Sequence, residues 1–404
     1  MKTWRQLMRR TLPAVMAGVV ALNIAALPSV WAEGANDPAP YIQPTGTPNG
    51  KKVLFDNTHG QTAGAADWVI DGGFSDFADA IAKEGYYVQE LRKTTPITYE
   101  DLKDYAVLVI GEANIPYKVS EQAAMTEYVQ KGGSIFFIAD HYNADRNVNR
   151  WDASEVMNGY RRGAWNDPAK GMNADERMST AMQGVVSSEW LSQNFGVKFR
   201  YNALGDIEAT NTDIVSPVQS FGITSGVSQV EMHAGGTLLI TDPLKAKGIV
   251  FMPQTTVKWA NAVDKGVYAG GGAAEGPFVA ISKAGLGKAA FIGDSSPVED
   301  ATPKYMREDT GKAKTTYDGF KEGDDGVLLV NIINWLAKSE SYKNLGQVQQ
   351  LQLDPVTPIV TTGPENEIPQ QSVEPQPEPW SAPAAGYKWY DPSTFAPGSY
   401  GYTP

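Results

Sequence analysis

Gly132-Gly133-Ser134-Ile135-Phe136-Phe137-Ile138-Ala139-Asp140-His141 is the stretch on which the reading of the fold turns. Its two glycines end a helical pattern that begins at Ser120, a residue suited to capping a helix start. The run that follows does not alternate polar with apolar, as expected of a strand buried on both faces. It leads directly into Asp140-His141. Lys51-Lys52-Val53-Leu54-Phe55 leads in the same way into Asp56-Asn57-Thr58-His59-Gly60, and Lys288–Gly293 into Asp294-Ser295-Ser296. Ala106–Ile110 is a fourth apolar run, followed by Gly111-Glu112. In an open parallel sheet the carboxyl ends of the strands share one crevice, where ligands bind. Asp56, His59, Glu112, Asp140, His141 and Asp294 are therefore expected to meet.

Outward from this stretch, strands and helices alternate. A strand at 52–56 precedes a helix over Gly73–Glu84, with Phe74, Phe77, Ala78 and Ile81 at helical spacing. A strand at Tyr86–Leu91, a short helix at Tyr99–Tyr105 and the strand at 106–111 follow. The pattern predicts an α/β fold with a doubly wound, mostly parallel sheet. After His141 it breaks. Residues 141–172 are polar and aromatic, a helix is expected over Asp175–Phe195, and β-rich segments follow at Val197–Tyr201, Thr237–Ile240, Gly248–Met252 and Pro277–Ser282. The strand at 288–293 and an amphipathic helix at Val327–Ala337 close the domain. The expectation is one domain over 51–340 with a β-rich insertion at about 141–287.

The ends read differently. Lys2, Arg5, Arg9 and Arg10 precede an apolar run, and Val30-Trp31-Ala32 has the form of a cleavage site, so residues 1–32 read as a signal peptide. Secretion, or attachment to the cell wall, is the expected destination, with no membrane span once the signal is cleaved. Residues 33–50 read as a linker and 341–404 as a Pro-rich tail with an aromatic end. That end is expected either to contact wall polymer or to fold back on the domain.

A net charge of -12 over 404 residues gives no global basic field to recruit nucleic acid. The absence of cysteine excludes disulfides, thiolate nucleophiles and Cys-ligated zinc. Asp56, His59, Asp140, His141 and Asp294 are the candidate ligands for a divalent metal, whether Zn, Mn, Mg or Ca. Asp140, His141, His233 and Glu112 are the candidate catalytic groups, although a lone His beside an apolar run, such as His233, is more often a satisfied core residue. Each Asp alone can be explained as a helix or loop cap. Arg146, Arg150, Arg161 and Arg162 follow Asp140-His141 closely in an acidic chain. They are read either as an anion-binding wall or as an ion-pair network with Asp145, Asp152 and Glu155. Asp145-x-Asn147-x-Asn149 is no EF-hand, because Arg150 stands at the glycine position and Val156 at the final ligand position. Gly293-Asp294-Ser295-Ser296 lacks the Gly-x-Ser-x-Gly pattern of a serine nucleophile.

The order of elements over about 51–140 and 288–340, together with Gly132–His141, resembles the class I glutamine-amidotransferase-like α/β fold. The resemblance implies an amidotransferase-like or flavodoxin-like scaffold. In that family the segment leads to a Cys nucleophile, and here Ala139-Asp140-His141 stands there, so amidotransferase chemistry does not carry over. Asp140–Arg146 and Gly293–Asp300 look like the motifs of a secreted bacterial branch of this scaffold. The expected function is a secreted, metal-dependent hydrolase of an anionic substrate, a phosphoester or extracellular nucleic acid. The alternatives are a non-catalytic polymer-binding module at the cell surface, or a hydrolase of glycans or their ester substituents.

Overall fold

The computed structural model describes residues 38–63, 68–300, 318–376, 379, 383 and 385–395. The expected signal peptide and the start of the linker lie outside the described residues. Twelve strands are described: β1 Tyr41–Ile42, β2 Lys52–Asp56, β3 Tyr87–Leu91, β4 Val107–Gly111, β5 Ser134–Ile138, β6 Val197–Phe199, β7 Ile207–Thr210, β8 Gln229–Met232, β9 Leu238–Ile240, β10 Ala246–Phe251, β11 Pro277–Ala284 and β12 Gly287–Ile292. The helices that matter here are α1 Ser75–Lys83, α2 Tyr99–Leu102, α3 Val119–Gln130, α4 Ala153–Asn158, α5 Ala174–Met178, α6 Trp190–Phe195, α7 Gly272–Glu275 and α8 Asp325–Leu336.

Eight strands form one sheet in the order β1-β3-β2-β4-β5-β12-β11-β10. The inner strands β3, β2, β4, β5 and β12 are parallel, while β1 pairs antiparallel with β3, β11 with β12 and β10 with β11. This is the mostly parallel α/β fold that the alternation predicts. Side chains alternate between its two faces, as the pleat requires. Val53, Phe55, Val107, Val109, Phe136, Ile138, Ala290 and Ile292 pack on one face with α1 and α8. Leu54, Leu108, Ile110, Ile135, Phe137, Ala289 and Phe291 pack on the other with α3 and α6. Both faces are covered, so the strands read as unbroken apolar runs.

Two expectations need correction. Segments 248–252 and 277–282 belong to the main sheet, as β10 and β11, and not to a separate insertion. The antiparallel β10–β11–β12 meander extends the sheet past its last parallel pair. The β-rich addition is two small antiparallel pairs, β6–β9 and β7–β8. The expected helix at Asp175–Phe195 is two short helices, α5 and α6. Turns separate them, and Gly184 among these has a φ of 80°.

The tail is extended, as its prolines require. Among its described residues the only regular structure is short 3-10 turns at Leu345–Gln347, Pro369–Gln371 and Pro392–Thr394. It nevertheless packs back along the domain. Lys247 Nζ meets Asp354 at 2.8 Å, Tyr142 OH donates to Glu374 at 2.6 Å, and Trp389 Nε1 donates to Glu176 at 2.8 Å.

Candidate functional site: an acidic crevice at the strand ends

Register places the site. Gly111 pairs with Ile138, and Ile138 with Ile292. Asp140 and Asp294 therefore stand level, each two residues beyond its strand, with Glu112 one residue beyond β4. Gly111 carries no side chain because Phe74 is in the way: a Cβ there would lie 2.3 Å from its ring. Gly293 allows a second close approach. Gly236 N donates to Gly293 O at 2.6 Å, and a Cβ on Gly293 would meet Gly236 O at 2.2 Å. That contact docks the loop after β8, so His233 N donates to Asp294 Oδ2 at 2.7 Å.

Five carboxyl groups gather here: Glu112, Asp140, Asp145, Asp294 and Glu299. Neither oxygen of the buried Glu112 receives a donor from the protein. Its carboxyl faces that of Asp145, and the contact is a hydrogen bond only while the two share a proton. Burial, then Asp145 and Asp140, pushes the Glu112 carboxyl well above the usual range. Burial, then Asp294, does the same to Asp140. Burial raises Asp294 to about 7 and Asp145 to about 6. Burial among like charges thus favours the protonated form, most strongly at Glu112 and Asp140.

His141 is opposite in character. Burial lowers it to about 4, so the ring is neutral at ordinary pH. In that neutral ring Nδ1–H donates to the Tyr142 carbonyl at 2.9 Å, which leaves the Nε2 lone pair available. Nε2 stands 3.8 Å from Asp140 Oδ1, and the ring packs against Trp259 at 4.2 Å between centroids. Backbone strain collects at the same place. Glu112 (φ 42°), Asn143 (φ 76°) and Ala234 (φ 63°) hold left-handed conformations on the loops after β4, β5 and β8. Such positions cost about 1–3 kcal/mol each and persist where the surroundings enforce them. Both amide atoms of the buried Asn143 are also unpartnered.

The sequence expectation put Asp56 and His59 in the same site, and the structure places them in a set of their own. Asp56 accepts from Thr58 Oγ1 at 2.6 Å, Gln61 Nε2 at 3.0 Å and Tyr117 OH at 2.7 Å. His59 lies between Asp56, 3.1 Å from Nδ1, and Glu121, 3.2 Å from Nε2. Burial opposes a charge on this ring, but Glu121 and Asp56 outweigh it and lift His59 to about 10. Both ring nitrogens are thus engaged by carboxylates. Among the described residues no group of three or more His, Asp or Glu is arranged to hold a metal ion. His233 Nε2 meets Glu322 at 2.5 Å, so this histidine touches the crevice through its backbone.

All four arginines have partners within the chain, although Arg146 Nε, Arg161 Nε and Arg162 NH1 find no acceptor among the described residues. Arg146 bonds Glu155 and Glu374, each at 3.1 Å, and Arg150 forks onto Glu176. Arg161 donates to the carbonyls of Pro168 and Lys170, and Arg162 to Asp264 and the Pro364 carbonyl. Asp145 and Asp152 cap loop amides, so most of the acids that pair with these arginines come from elsewhere in the chain. Arg161→Ala should therefore lower the melting temperature and leave binding of an anion such as phosphate unchanged. Weaker phosphate binding at an unaltered melting temperature would restore the anion-wall reading.

No family model and no curated protein matches this sequence. Among solved structures the chain is similar to the IFT52 N-terminal domain, at 11% identity and a TM-score of 0.44, over 72% of this chain and 100% of that one. It is similar to a ThuA-like protein from Bacteroides uniformis, at 13% identity and a TM-score of 0.39, over 72% of this chain and 92% of the other. A ThuA-like protein from Parabacteroides merdae gives 15% identity and a TM-score of 0.36, over 74% and 91% of the two chains. All three scores lie below 0.5, and the fold class rests on the topology of the sheet itself.

Proposed function

We propose that this chain is a hydrolase of uncharged esters, such as the ester substituents of a polysaccharide, working by proton transfer at Asp140 and His141. The observation that carries the reading is geometric: His141 Nε2, left open by the Nδ1–H bond to the Tyr142 carbonyl, stands 3.8 Å from Asp140 Oδ1, and burial favours a neutral ring and a protonated carboxyl there. Groups whose environments push their protonation apart make an acid and a base. The gap favours acyl transfer over glycoside cleavage. In ester hydrolysis one tetrahedral carbon holds the attacking and leaving oxygens at once, so acid and base stand close, whereas a glycosidic carbon is attacked from the face opposite its leaving oxygen. Glycoside hydrolysis uses carboxyl groups about 5–9.5 Å apart. An uncharged substrate is favoured by charge, because five carboxyl groups gather at this place while Arg146, Arg150 and Arg162 pair with other acids.

In this mechanism His141 Nε2 removes a proton from water as the water oxygen attacks the ester carbonyl carbon. Asp140 then protonates the departing alcohol oxygen as the carbon–oxygen bond breaks, giving acid and alcohol. The imidazolium returns its proton to the Asp140 carboxylate. His141 must be neutral and Asp140 protonated, so activity should rise with pH through about 4 and fall only above the usual carboxylate range.

Triacetin and p-nitrophenyl acetate test the reading. His141→Gln should cost about 10²–10⁴-fold on both. Asp140→Asn should cost that much on triacetin and far less on p-nitrophenyl acetate, whose leaving group departs without a proton. Equal losses on the two esters would remove Asp140 from the acid role. Activity abolished by a chelator and restored by a divalent ion would replace proton transfer with the metal-dependent reading. No ester hydrolysis at all would reject the proposal.

A further inference from the structure

The aromatic tail reaches the crevice through a chain of side-chain hydrogen bonds. Tyr387 OH donates to Asn149 Oδ1 at 2.5 Å. Asn149 Nδ2 donates to Asn114 Oδ1 at 2.8 Å. Asn114 Nδ2 donates to the Glu112 carbonyl at 2.7 Å. Asn149 and Asn114 are both buried, and Glu112 at the end of the chain holds the strained φ of 42°. Each amide in the relay uses its oxygen as acceptor and its nitrogen as donor, so neither can flip without breaking two bonds. The Asn114 backbone N–H also donates to the His59 carbonyl at 2.7 Å, which ties the relay to the loop after β2. Tyr387 lies within the field of Asp145, the carboxyl that shares a proton with Glu112. The ring itself is held separately, stacked on Phe395 at 5.5 Å.

We infer that Tyr387 is a positioning residue: through Asn149 and Asn114 the C-terminal tail fixes the strained backbone of Glu112, and with it the acid cluster beside Asp140. The inference rests on the ester-hydrolase reading for its effect on catalysis, while the relay itself can be measured without any activity. A strained, buried carboxyl needs a rigid surround, and sites work best when supporting bonds hold the reacting groups in place. The tail is thus a working part of the crevice and not a tether.

Tyr387→Phe removes one hydroxyl and keeps the stacked ring. Two measurements on the full chain test it. In hydrogen exchange, the amides of residues 111–115 should exchange about tenfold faster than in the wild type, with the melting temperature unchanged. With triacetin, kcat should fall about tenfold at constant KM, and the alkaline limb of the pH profile should move toward the usual carboxylate range as water reaches the acid pair. Asn149→Leu breaks the same relay, so the double variant should be no worse than the poorer single one. Unchanged exchange at 111–115, or additive losses in the double variant, would overturn the inference. If the wild type cleaves no ester but exchange still quickens, the relay stands and the ester reading alone fails.

Discussion

His59→Gln is expected to destabilise the protein by about 3–5 kcal/mol at neutral pH, the usual cost of removing one partner from a buried charged set. The imidazolium lies between two buried carboxylates, and its loss strands both Asp56 and Glu121 in the interior. Glutamine can still bond to one of them but carries no charge. The pH dependence follows from the raised value of the ring. A histidine at about 10 in the fold and 6.5 when unfolded contributes fully below pH 6.5, and that contribution fades as pH rises toward 10. Denaturant unfolding at pH 6 and at pH 10 should show a wild type that weakens across this window. The variant should start lower and lose less over the same range. A cost under 1 kcal/mol, with the wild-type slope retained, would mean that the ring is not charged in the fold.

Glu367→Ala should be comparably severe although it lies in the Pro-rich tail. Its carboxylate forks onto Arg200, Oε1 to Nε and Oε2 to NH2, both at 2.8 Å, and Arg200 is 1% exposed. Removing the acid leaves a guanidinium buried with only carbonyl partners, those of Ala274, Glu275 and Pro358. The expected loss is about 3 kcal/mol, or roughly 3–5 °C in melting temperature for a chain of this size. Limited proteolysis provides the second readout, because the released tail should be cut while the domain survives. If the tail stays resistant and the melting temperature holds, the fork does not fasten it.

The parallel core was legible because its strands are covered on both faces, so Val107–Gly111 and Ser134–Ile138 read as unbroken apolar runs. The acids at strand ends were legible for the same reason: the end of each run marks where the crevice begins. The partners of charged groups were not. Nothing near His59 in sequence announces Glu121, and nothing near Arg146 announces Glu374. A basic residue in a loop reads the same whether it faces a ligand or an acid brought from hundreds of residues away. Strands β7 and β8 were missed because they are short and half polar, and Ile207-Glu208-Ala209-Thr210 becomes a strand only by pairing with Gln229–Met232. Asn114 and Asn143 carry no sequence signal of a role, since each depends on tertiary placement alone.

The order of strands also governs when this protein can exist. Strand β12 lies between β5 and β11, so the sheet stays split until a segment about 150 residues downstream of β5 has been made. An emerging chain that ends before β12 carries β5 as an open, apolar edge, the surface on which chains associate wrongly. High contact order of this kind slows folding, and the fork at Glu367 closes only after that. Refolding should therefore be slow and sensitive to concentration, with aggregation as its competitor, and a chain cut before Gly287 should remain in the hands of chaperones.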